Sequence, residues 1–168
     1  MNIAFLALSL ALTSANAAPA PAARAPKAAA PACKPQKVAK RTPLTFPDGK
    51  TISAYVVDTP DSREIGMMCL RRVKSDYGML FVFPEEMDLN FWMKNTLISL
   101  DIVWIGADKK VTVVHDHMKK SRLDTPENLI AVAGGRGQYV LELPAGAAAK
   151  RGLKPGDSLS FSVAIPPK

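Results

Sequence analysis

The chain has 168 residues, room for one domain and extensions, and a formal net charge of +7. Six of its 22 basic side chains and none of its 15 acidic ones fall in residues 1–41. The remainder therefore carries 16 basic against 15 acidic groups. That near-neutral balance argues against a nucleic-acid module, which would gather positive charge and aromatics on its folded surface.

Residues 1–12 are short, apolar and free of side-chain charge, and Ala15-Asn16-Ala17 follows. This is the pattern of a secretory signal peptide over residues 1–17, too short to span a bilayer. Export, to the periplasm or beyond, is the expectation. Residues 18–41 are rich in Ala, Pro and Lys, with no aromatic and no hydrophobic period, and predict a disordered tether. Such a basic segment would touch an anionic surface weakly. The rest, residues 42–168, is expected to be a single globular domain and a monomer.

The two cysteines are Cys33 and Cys69. An even count in an exported protein suggests that they pair, fastening the tether to the domain. The sequence Ala30-Pro31-Ala32 before Cys33 does not suit lipid attachment. No base lies near Cys69 in sequence to activate it as a nucleophile.

Thr51–Val57 is β-branched and aromatic, the signature of a strand. Thr59 suits a helix N-cap, Pro60 the first helical position and Asp61 the first turn. That helix is expected to run to about Met67, with Ile65 and Met68 packed inward. Residues 78–83 predict a strand broken by Pro84-Glu85-Glu86, and residues 89–93 the next. Residues 97–105 contain another, and 106–109 form a hairpin turn leading to residues 111–115. A polar loop over 121–128 precedes an apolar run at 129–133. Gly134-Gly135-Arg136-Gly137 then predicts a turn before a strand at 138–143. Residues 145–151 predict two helical turns closed by Gly152, and residues 158–163 a last strand.

Short strands at close spacing predict a mainly β (α+β) fold: a compact β-sandwich or barrel-like domain with one or two short helices. Parallel βαβ winding is the weaker alternative, because few helices separate the strands.

The stretch from Gly78 to Asp101 holds the oddest polar groups. Lys94, Asn95, Thr96 and Asp101 interrupt a run that includes Phe91, Trp92, Met93, Leu97 and Leu100. In residues 100–105 both alternating faces are apolar, which predicts a central strand with Asp101 at its buried end. A buried carboxylate needs partners. One reading is a ligand pocket formed by Lys94, Asn95, Thr96 and Asp101 and floored by Trp92 and Met93. The other is a Lys94–Asp101 ion pair beside an Asn95-Thr96 turn.

Asp101 with Asp76 or Glu142 could supply a carboxylate pair for hydrolysis of an envelope polymer. Glu142, however, alternates as a solvent-facing residue would. Met67, Met68, Met79, Met87, Met93 and Met118 with His115 and His117 raise a copper reading, the two imidazoles sharing one strand face. The methionines are too scattered for a cluster and suit core filling better. No metal or other cofactor is expected, and no phosphate loop or nucleophile elbow is present in the sequence.

Several blocks occur in a specific order. Arg63 with Gly66-Met67-Met68 is followed by Gly78-Met79-Leu80-Phe81-Val82-Phe83. Phe91-Trp92-Met93-Lys94-Asn95-Thr96 and Leu100-Asp101 come next. Tyr139-Val140-Leu141-Glu142-Leu143-Pro144-Ala145-Gly146 and Gly156-Asp157 complete the series. This order resembles the bacterial and archaeal family called domain of unknown function 192, over residues 51–163. Met67 stands where that family usually has leucine, and Ser99 where it usually has proline. The resemblance implies a compact, mainly β fold and no established activity. It also favours a pocket around Trp92, Lys94, Asn95, Thr96 and Asp101. The function expected on these grounds is an exported binding module for a small ligand or an envelope component. Envelope-polymer hydrolysis and a structural or protein-interaction role are the alternatives.

Overall fold

The structure, a computed structural model, describes residues 33–168. The expected signal peptide and most of the tether lie outside the described residues. Seven strands, β1 (Arg41–Thr45), β2 (Thr51–Val57), β3 (Met79–Trp92), β4 (Leu100–Ile105), β5 (Val111–Met118), β6 (Val132–Pro144) and β7 (Ser160–Phe161), form one curled sheet, a half-barrel. Two short helices, α1 (Pro60–Ile65) and α2 (Ala147–Lys150), accompany it.

The strand order is β5-β4-β6-β3-β2-β1-β7. All neighbours are antiparallel except β2 and β3, which run parallel with α1 in the crossover between them. A single βαβ unit is thus embedded in an otherwise antiparallel sheet. The curl brings the sheet's far ends together. Leu159 donates its amide to Lys109 O at 3.0 Å, and Val111 donates to Asp157 O at 2.8 Å.

Strand alternation sends side chains into two cores. Leu44, Ala54, Leu80, Val103, Leu141 and Phe161 fill the inside of the curl. Met67, Met79, Phe81, Leu100, Ile102 and Trp104 pack on the other face. Strand β4 feeds both, and all six of its residues are buried, as its two apolar faces predict.

Helix α1 begins as expected. The Thr59 hydroxyl accepts from the Ser62 amide at 3.2 Å, and Ser62 Oγ accepts from the Thr59 amide at 3.1 Å, a reciprocal cap. It ends earlier than expected. Gly66 adopts a left-handed φ of +46°, which ends the helix and turns Met67 into the core, while Ile65 is left 38% exposed. A side chain at Gly66 would meet the Phe81 ring at 3.0 Å.

Two expected breaks are not breaks. β3 runs through Pro84-Glu85-Glu86, because the ladder with β6 shifts register between Val82 and Met87 and asks no amide of the proline. Gly134, Gly135 and Gly137 lie within β6, opposite Asn90, Leu89 and Met87, instead of in a turn. A Cβ on Gly137 would come within 2.7 Å of Ile105 O, so this glycine serves the close approach of the neighbouring strand.

The tether is not loose up to Arg41. Cys33 is disulfide-bonded to Cys69. Gln36 Nε2 donates to Ser62 O and Gly66 O at 2.9 Å each, covering carbonyls at the end of α1. Lys40 pairs with Asp58. Residues 33–40 therefore form a strap laid along α1.

Candidate functional site

Asp101 is fully buried and accepts three backbone hydrogen bonds. Oδ1 takes the amides of His117 at 2.9 Å and Gly146 at 3.0 Å; Oδ2 takes that of Ala148 at 2.9 Å. It thereby caps the start of α2 and holds the bulge of β5, where His117 has a φ of +49°. It does not meet Lys94. Asp101 points to the inside of the curl, whereas Lys94 follows β3 on the outside, so neither the expected pocket with Asp101 nor the expected ion pair forms. Lys94 Nζ instead bonds Glu127 Oε1 at 2.7 Å and lies 4.8 Å from the centre of the Trp92 ring.

The other residues of the block divide between support and cavity. Met93 is fully buried in the outer core, and its carbonyl accepts from Ser121 Oγ at 2.6 Å. Asn95 adopts a left-handed φ of +53°, which asparagine tolerates, and its carbonyl accepts from the Cys69 amide at 2.9 Å. Thr96 is buried, with Oγ1 donating to Lys94 O at 3.2 Å. Trp92 is 45% exposed. Trp92 and Thr96 both line a cavity of about 220 Å³ between the end of α1 and the outer face of β3 and β6.

Glu142 is buried and lines that cavity. Its alternation suggested a solvent face, but the outer core and the turn at Gly66-Met67 cover that side of β6. Burial pushes its carboxyl up to about 8, opposed only by a hydrogen bond from the Met67 backbone. It is therefore a neutral acid at pH 7. Its Oε2 is buried without a hydrogen-bond partner among the described residues. The ring of Phe91 stands edge-on to Phe81 at 4.8 Å and to Phe83 at 6.4 Å. All three rings line the cavity, and Arg63 and Asn90 join them. Arg63 lies 4.8 Å over Phe83 and spends Nη1 on Asp58 O and Val82 O; burial lowers its pKa. The arrangement offers aromatic walls, a buried hydrogen-bonding acid and a guanidinium.

The carboxylates proposed as a pair are separated. Asp101 is opposite Leu143, and Ile102 is opposite Glu142. The two acids therefore project to opposite faces of the sheet. Asp76 lines a different cavity, with Tyr77 and Arg72. His115 and His117 do not share a face either, since a bulge separates them. The His115 ring packs edge-on against Trp104 at 5.2 Å, and its Nε2 lies 3.0 Å from Gly134 O.

Sequence reasoning named Trp92, Thr96 and Glu142 but missed Arg63 and the phenylalanine walls as site residues. One signal was available: a lone acid within Val140-Leu141-Glu142-Leu143, a run that otherwise suits a central strand.

A family model described as Uncharacterized ACR matches residues 44–161. The chain belongs to the domain of unknown function 192 family. The match runs from the end of β1 through β7, so the cavity and its buried acid lie within the part that defines the family. A solved chain from Sinorhizobium meliloti 1021, to which a transcription-regulating role has been ascribed, is 33% identical. It has a TM-score of 0.61, over 72% of this chain and 92% of that one. A protein of unknown function from Novosphingobium aromaticivorans DSM 12444 is 28% identical, with a TM-score of 0.59 over 71% and 83%. No curated protein matches the chain.

Proposed function

We propose that this domain is a non-catalytic binding module for a small, uncharged ligand. The ligand's flat or apolar body lies against Phe81, Phe91 and Trp92, and its buried end presents a hydrogen-bond acceptor to Glu142. The observation that carries this reading is the orphaned Oε2 of Glu142 in an aromatic cavity. A buried polar atom without a partner costs free energy, and a ligand that supplies one recovers it. Kept neutral near pH 7, the carboxyl is a donor, which suits a carbonyl or amide oxygen. Thr96 and Asn90 add further polar groups to the same cavity. Amide-bearing fragments of envelope polymers are one source of such chemistry. An exported, periplasmic setting fits the leader-like residues 1–17 and the Cys33–Cys69 disulfide, since reducing compartments disfavour such bonds.

Tryptophan fluorescence and melting temperature, followed against a panel of amides, N-acetyl sugars and aromatic carbonyl compounds, test the proposal. A binder should lose affinity in Glu142→Leu and keep it in Glu142→Gln, which retains a donor. Affinity that survives Glu142→Leu, or a panel without a single shift, argues against it. Titration at rising pH adds a second discriminator: affinity for an acceptor ligand falls as the pH passes about 8, whereas an ammonium ligand would gain.

A further inference from the structure

A second cavity, of about 440 Å³, opens over the outward face of β1 and β2. The register sets Arg41 opposite Tyr55, so both project to that face. The segment between Cys69 and β3 crosses above them and brings Arg72, Lys74, Asp76 and Tyr77 to the cavity wall. Tyr77 stacks on Tyr55 with ring centres 4.8 Å apart and planes inclined by 26°. The Arg41 guanidinium lies 4.0 Å from the centre of the Tyr55 ring and also donates to its hydroxyl. Arg72, Lys74 and Asp76 make no ion pair among the described residues.

Each part of this cleft selects for something different. Three cations against one acid leave an excess of positive charge, which concentrates anions in a concave site. The guanidinium fork suits carboxylate or phosphate oxygens. Tyr77, held rigid by its stack on Tyr55, offers a flat apolar face for a ring. A carboxylate beside it accepts from hydroxyl groups. A simple anion uses only the first two parts and a neutral sugar only the last two.

We propose that this cleft binds an acidic sugar. The pyranose ring lies on the outer face of Tyr77, its carboxylate or phosphate is held by Arg72 and Lys74, and a ring hydroxyl donates to Asp76. Burial pushes the Tyr77 phenol up to about 12, so this part of the platform stays uncharged over the working pH range. The site shares no lining residue with the Glu142 cavity, although Glu142 is near enough to help raise the Tyr77 phenol, and it does not depend on the reading given for that cavity.

Calorimetric titration of the full chain at low salt tests the assignment, with galacturonic acid and glucose 6-phosphate as ligands and glucose and inorganic phosphate as controls. At least one acidic sugar should bind tenfold or more tightly than both glucose and inorganic phosphate, and which of the two does so identifies the anion. Arg72→Ala combined with Lys74→Ala should weaken it at least tenfold, Asp76→Asn should weaken it less, and Lys150→Ala, at an exposed position on α2 outside the cleft, should leave it unchanged. An unchanged urea midpoint confirms that the exposed Arg72 and Lys74 variants remain folded; should the double variant unfold, Arg72→Gln alone replaces it. Inorganic phosphate binding as tightly as the sugar phosphate would reduce the cleft to a nonspecific anion patch. Glucose equalling the acidic sugars, binding indifferent to Arg72 and Lys74, or no binding at all would equally overturn the assignment.

Discussion

Asp101 and Glu142 stand on neighbouring strands one register step apart, and that single step sends them to opposite sides of the sheet. One is buried with three backbone donors around it; the other is buried with an oxygen to spare. The same residue type thus serves as an internal clasp on one side and as a candidate recognition group on the other.

The clasp should be sensitive to isosteric change. Asp101→Asn replaces one acceptor with a donor that faces amide groups, at a fully buried position. A loss of roughly 3 kcal/mol in unfolding free energy is expected, read from urea denaturation. Because α2 and the β5 bulge depend on this carboxylate, amide exchange at Ala148 and His117 should accelerate together.

Glu142 should give the protein a distinct pH profile. Its folded pKa, about 8, lies above the ordinary 4.5. Between those values the native state holds a proton that the unfolded chain has released, so stability falls as pH rises. The contribution is complete below about 4.5 and is lost as pH passes through about 8. The loss is on the order of 5 kcal/mol. Glu142→Gln should remove this slope, so the difference between the two stability curves widens from pH 5 to pH 9. Parallel curves would show that the acid is solvated or paired.

Neighbouring glycines of β6 should respond unequally to alanine. A Cβ at Gly135 would fall 2.6 Å from Val113 Cγ1 and 2.7 Å from Trp104 Cγ, both in packed surroundings. Gly135→Ala should cost about 2 kcal/mol. At Gly134 the nearest atom is Asn90 Oδ1, at the end of an exposed side chain that can swing aside. Gly134→Ala should be neutral or slightly stabilising, since alanine suits a strand better than glycine. Denaturation midpoints of the two variants check the contrast.

The disulfide spans a sequence separation of 36 residues. A constraint of that length on the unfolded chain corresponds to about 4 kcal/mol in the entropic account. Cys33→Ser should lower stability by an amount of that order. It should also loosen the strap along α1 before the rest of the sheet. The Met67 amide, which bonds Glu142, should then exchange faster than the amides of β4.

The elements legible in the sequence were those governed by nearby residues. Thr59-Pro60 marked the start of α1, the alternation of apolar residues in β4 marked a central strand, and Gly152 closed α2. The features that stayed hidden depend on distant chain segments. Pro84 is tolerated inside β3 because β6 shifts register beside it, and nothing near Pro84 announces that. Gly134-Gly135-Arg136-Gly137 carries the composition of a turn, yet Trp104 and Ile105 press against its backbone. The partners of Asp101 come from residues 117, 146 and 148, and such backbone donors leave no signature in side-chain types. Glu142 looked solvated because one strand cannot reveal what covers its second face.

The bonds between residues 109–111 and 156–159 draw the sheet shut, and Leu44 of β1 is opposite Phe161 of β7. Contacts so far apart along the chain make for slow, late completion of the fold. Until β7 arrives, β1 presents a bare edge, and Leu153, Leu159 and Phe161 have no interior to enter. A chain halted short of Phe161 should therefore self-associate through that edge and be recognised by chaperones and proteases, even with all the residues of the Glu142 cavity already made.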